Sequence, residues 1–115
     1  MFVGRVVGAV WSTVKWPQIQ GLKLLAVQPL HVSDLGPEGS RPQAACDELV
    51  ICADVLDAGE GDQVVVAFGH AARVALQQVM GPEEITRFAV DAAVVAVVDG
   101  MQVDPEALVD HPEAT

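Results

Sequence analysis

The sequence predicts an all-β domain with one short helix, built as a small, OB-like, partly open five-stranded barrel. Three observations predict it. Apolar residues fill 51% of the 115 positions but aromatics only 4%, so the apolar mass is mostly Val and Ala. That mass falls in short runs punctuated by Gly and Pro, and β-branched residues favour strands. Only one segment, after Gly69, spaces its apolar residues as a helix does. Strands in series, with the helix between the third and fourth major strands, fit such a barrel.

The elements follow in order. Phe2 to Val14 is Val-rich, with Gly4 and Gly8 inserted, and glycine inside a strand marks a bulge or sharp bend. Trp16 to Gly21 breaks the pattern as a loop framed by Pro17 and Gly21. Lys23 to Gln28 is the second strand, stopped by Pro29. His31 to Pro42 holds Gly36, Pro37, Gly39 and Pro42 and reads as a surface excursion. Ala45 to Val55 is a third strand, and Asp57 to Asp62 a glycine-bearing turn. Gln63 to Phe68 is a near-continuous apolar strand, as expected of one buried on both faces. His70 to Val79 is the helix, with Ala71, Val74, Ala75 and Val79 on one side, and Gly81-Pro82 ends it. Phe88 to Val98 is the last strong strand, before the Asp99-Gly100 turn. Asp104-Pro105-Glu106 opens a further short helix, and His111 to Thr115 is a frayed end.

The length fits a single domain able to bury its own core. So much Val in so small a chain also hints at apolar surface buried between copies. The net charge is −10, from six Lys plus Arg against sixteen acids, which disfavours binding to phosphate backbones. No charged N-terminal region leads into a long apolar core, so no signal peptide is expected. No apolar run approaches the ~20 residues that span a bilayer, so a soluble cytosolic protein is expected. Cys46 and Cys52 read as buried free thiols in such a compartment.

Candidate chemistry is sparse. Asp54, Asp57, Glu60 and Asp62 gather around glycines, but lack the ligand order and closing Glu of a calcium loop; they read as a solvated acidic turn. Gly59 to Gly61 precedes a strand, whereas a phosphate loop follows one and opens a helix. His31, His70 and His111 show no metal-binding spacing. No serine sits in a nucleophile elbow, and neither cysteine has an evident base. No catalytic residue, cofactor or metal is therefore expected. Trp11 and Trp16 suit base stacking on an OB-like surface, but the strands lack interleaved basic and aromatic residues. Trp16 beside Pro17 reads instead as a loop anchor, in the core or at a subunit contact.

Several segments together carry a resemblance. They are GRVVGAVWSTVK (residues 4–15), GLKLLAVQPL (21–30), ADVLDAGEGDQVVV (53–66), GHAAR (69–73) and VDAAVVAVVD (90–99). In this order and spacing the chain resembles the bacterial microcompartment vertex family, the EutN/CcmL-type shell proteins. The likeness covers about residues 1–30 and 50–100. Family members commonly carry Gly-Thr-Val where this chain has Gly8-Ala9-Val10, and Gly-Ser-Ser-Ala-Arg where it has Gly69-His70-Ala71-Ala72-Arg73. Their Val-Asp-Ala is kept as Val90-Asp91-Ala92. Their Asp-x-Val-Gly-Ala-Gly becomes Asp54 to Gly59, with Asp57 replacing a glycine.

The resemblance implies a non-enzymatic structural protein. Small barrels would assemble into a cyclic ring, typically a pentamer with six-fold symmetry left open, through contacts between different faces of neighbours. The ring would fill a corner of a shell in the bacterial cytoplasm and meet hexameric shell proteins, with no nucleic acid or membrane as partner. Residues 1–100 would form the vertex domain, and 101–115 a C-terminal extension packed on it or frayed. Gly69, His70 and Ala71 would lie near the symmetry axis, where imidazoles replace hydroxyls and alter the size and pH response of any opening. Arg73 and Asp91 would serve structural ion pairing or assembly. The rival reading, from the barrel alone, is an OB-type nucleic-acid binder.

Overall fold

A computed structural model describes residues 1–19, 21–30, 48–85, 88–104 and 106. Five strands form a closed barrel: β1 (Phe2–Val10), β2 (Leu24–Pro29), β3 (Val50–Ala53), β4 (Gln63–Phe68) and β5 (Ala92–Val97). Two helices, α1 (Gly69–Met80) and α2 (Pro82–Ile85), link β4 to β5. The spatial order is β1-β2-β3-β5-β4. The helix therefore lies between the fourth and fifth strands. The segment read from sequence as a strand over Ala45 to Val55 is a full ladder member as β3, pairing Val50–Ala53 with Leu24–Val27, which makes β4 the fourth strand before the helices.

β1 is the corner strand. Phe2–Arg5 pair antiparallel with β4 and Gly4–Val10 with β2. A bulge between Val6 and Gly8 makes the bend. Gly4 is needed for a different reason. A Cβ there would lie 2.5 Å from Val27 Cγ1 and 2.9 Å from the Gln28 carbonyl oxygen. The barrel closes where β3 meets β5 in parallel, at the single pair Ala53 and Ala93. Closure replaces the partly open form expected, and it removes the sheet edges.

The core has two layers. Val6, Leu25, Val27, Cys52, Val64, Val66 and Val94 fill the barrel interior. Ala53, Ala67, Ala93 and Val90 form an outer layer beneath Ala72 and Leu76 of α1. β4 was expected to be buried on both faces. Instead Val64 and Val66 point inward, Gln63 and Val65 are half-buried, and Phe68 is exposed. Only Ala67, next to α1, is buried in the outer layer.

Three ends differ from the sequence reading. β1 stops at Val10 rather than Val14, because its last partner is Leu24 and the ladder runs out. β5 begins at Ala92 rather than Phe88, since the Phe88 and Val90 carbonyls are engaged by Arg73. β3 spans only Val50–Ala53; residues 45–47 lie outside the described part. The surface excursion at 31–42 and the frayed end at 111–115 also lie outside it. α2 was not expected, although Pro82 suits a first helical position. Asp104 Oδ1 accepts the Glu106 N–H at 3.0 Å, a local turn; residues 107–115 are outside the described part.

Candidate functional site

A dense polar constellation among the described residues sits where β3 ends. Asp54 is 4% exposed. Its carboxylate accepts the Leu56 N–H at 3.1 Å and the Ala58 N–H at 2.9 Å, folding the chain back on itself. Lys23 Nζ stands 3.1 Å from Asp54 Oδ2 and also donates to the Ala58 carbonyl at 2.9 Å. Asp57 Oδ1 receives Lys23 at 3.4 Å. The hydrogen bond to Asp54 raises the Lys23 pKa above its usual 10.5; the Asp54 and Asp57 charges add to this, and desolvation opposes it. The turn is then braced on β1 by Val6 N–H to the Asp62 carbonyl, 2.9 Å, and Gly61 N–H to the Val6 carbonyl, 2.8 Å.

The solvated acidic turn read from sequence needs correcting at Asp54. Asp57 and Glu60 are exposed, but Asp54 is a buried organiser of the backbone. A carboxylate directly after an apolar strand, with free N–H groups two and four residues on, is the sequence signal for it. Asp57 adopts φ 61°. The glycine usual in the resembled family at this position has its physical reason there, since the left-handed region costs other residues energy.

The strand-to-helix junction holds the other candidate residues. Gly69 takes φ 59°, and its N–H donates to the Asp91 carbonyl at 2.7 Å. His70 and Ala71 are exposed on the first turn of α1. Arg73 is half-buried, with Nη1 donating to the Phe88 carbonyl at 2.9 Å and to the Val90 carbonyl at 3.4 Å. Asp91 is exposed. The fold therefore brings Gly69, Arg73 and Asp91 to one junction, where main-chain carbonyls take the Arg73 charge.

Cys52 is a free, fully buried thiol, pushed up to about 11 by burial and then by the Asp91 charge. Cys46 lies outside the described residues. Among the described residues, no three His, Cys, Asp or Glu side chains are placed to hold a metal ion. No helix among them is long and apolar enough to cross a membrane.

Two apolar surfaces stand out instead. Trp11 is 90% exposed and Trp16 74%, which removes Trp16 from the core. They flank a turn braced by Ser12 Oγ to the Val14 carbonyl, 2.6 Å, and Lys15 Nζ to the Ser12 carbonyl, 2.7 Å. At the far end of β1, a groove of about 450 Å³ is lined by Phe2, Pro29, Glu48, Leu49, Val50 and Phe68. The Phe2 and Phe68 rings meet there with centroids 5.4 Å apart.

Comparison with known proteins accords with this architecture. Residues 1–99 match the family described as ethanolamine utilisation protein EutN/carboxysome. The bacterial microcompartment shell vertex protein GrpN of Rhodospirillum rubrum is 35% identical over 102 residues, covering 89% of this chain and 97% of that protein. The carboxysome shell vertex protein CcmL of Synechococcus elongatus is 32% identical over 113 residues, covering 98% of each. The solved structure of Gloeobacter violaceus CcmL gives a TM-score of 0.65 at 32% identity, covering 91% of this chain and 92% of that one. On a match of this extent, carried by a closed barrel of the expected strand content, the chain belongs to the EutN/CcmL family.

Proposed function

We propose that this chain is a non-enzymatic shell protein whose ring of five copies caps a vertex of a bacterial microcompartment in the cytoplasm. The observation that carries the reading is its likeness, along nearly the whole length of both chains, to the shell vertex proteins GrpN and CcmL. A solved structure of the former is described as a pentameric microcompartment shell protein; its TM-score is 0.64 at 33% identity. The exposed Trp and Phe side chains supply surface for such contacts. Hexameric shell tiles are the partners at the ring's edges. An OB-type nucleic-acid binder is disfavoured by six basic residues against sixteen acids.

In this reading residues 1–100 are the vertex domain and 101–115 its extension. Gly69, His70 and Ala71 approach the symmetry axis, and Arg73 and Asp91 hold the junction that presents them. Native mass spectrometry tests the ring: a species of five subunits at micromolar concentration is expected, and a purely monomeric protein ends the reading. His70→Cys tests the axis. A short bifunctional thiol reagent should link neighbouring copies at that position, and unlinked subunits within an intact ring would place His70 elsewhere.

A further inference from the structure

We infer that the ring closes by seating the Trp11–Trp16 turn of one subunit in the Phe2–Leu49–Phe68 groove of the next, with Lys15 facing Glu48. The inference rests on the ring reading above and names the two surfaces that would meet. A cyclic assembly needs two different, complementary patches on each subunit. This chain carries a projecting apolar turn at one end of β1 and an apolar groove at the other.

Size and charge both fit. Two Trp side chains bury about 300–500 Å² together. That is about half of the roughly 800 Å² per partner in a standard interface. Val14, 89% exposed beside them, adds to it. Lys15 is the one charged residue within 11–16, and Glu48 the one charged residue among the described residues that line the groove. Both are exposed.

The test is a charge exchange read by native mass spectrometry over a dilution series. Lys15→Glu and Glu48→Lys should each raise the concentration for half-assembly several-fold, and the double exchange should return it to within about two-fold of the parent, as expected of an ion pair. Circular dichroism and thermal melting of each variant check the subunit fold. Trp11→Ala combined with Trp16→Ala should leave folded monomers. The inference fails, with the ring reading intact, if either single exchange assembles like the parent, if the double exchange does no better than the singles, or if the double Trp variant keeps its ring. A parent protein that never forms a ring overturns both.

Discussion

Lys23 at the entry to β2 reaches across the barrel end to the buried carboxylate of Asp54, 3.1 Å away, and to the main-chain carbonyl of Ala58, 2.9 Å away. One side chain thereby ties the second strand to the turn between the third and fourth. The contact carries no chemistry. Its effect is to fix the loop that β1 rests on.

Asp54→Ala should destabilise the subunit by about 2–4 kcal/mol, because two N–H groups and a cation lose a buried acceptor. Urea unfolding of the dilute subunit measures it. Asp54→Asn should recover part of the loss, since one amide oxygen still accepts. Equal loss in both variants would show that the turn does not depend on these N–H groups.

The same contact predicts a response to alkali. A cation whose pKa is raised by folding contributes its stability in full below the unfolded value, and loses it as pH climbs through the folded one. Lys23→Met should therefore be less stable than the parent at pH 7–9, with the gap narrowing above about 10.5. Ionisation of Cys52 also weakens folding in this range, from 9.0 upward, but it affects both proteins alike and cancels in the comparison. A gap that stays constant from neutral to strongly alkaline pH would separate Lys23 from the effect.

Asp57 stands at φ 61°. Asp57→Gly should change stability by less than about 0.5 kcal/mol, since relief of strain is offset by a freer unfolded chain. Asp57→Val should cost about 1–2 kcal/mol. Thermal melts of the two variants decide it; a Val variant as stable as the parent would mean the turn relaxes out of the left-handed region.

Gly4→Ala should cost about 1–3 kcal/mol through contact with Val27 and the Gln28 carbonyl. Gly8→Ala meets nothing within 4 Å and should be tolerated. Reversed ranking of the two in denaturant midpoint would argue that the β1 bulge, rather than close approach, is the stricter demand.

Arg73→Ala should weaken folding or assembly by freeing the carbonyls of Phe88 and Val90. Arg73→Lys should restore only part, because a single ammonium replaces the planar fork. A fully stable, fully assembled Ala variant would contradict the structural role.

The strands were legible because their signals are local: β-branched runs bounded by Gly and Pro. Their ends were not. Nothing in Trp11 to Val14 says that the ladder stops at Val10; that depends on β2 beginning at Leu24. The burial of Asp54 was hidden for a similar reason. A solvated turn uses the same residue types, and the difference lies in Lys23, far upstream in the chain. The departure at Asp57 was visible as a replaced glycine, but its positive φ belongs to the folded turn. The Trp turn and the groove at the opposite end of β1 come from residues scattered over four segments, which no periodicity joins.

The order of the strands along the chain also sets a timetable for synthesis. β1 and β2 can pair as soon as Pro29 is made, but the cylinder is complete only with Val97. Roughly 70 residues intervene, about 4–14 s of translation at 5–20 residues per second. Throughout that interval Val6, Leu25 and Val27 form a hairpin face with no lid. The nascent chain is thus most exposed to misassociation with its neighbours before it has built the surfaces by which it recognises them, and slowing translation between β2 and β5 should favour aggregates over rings.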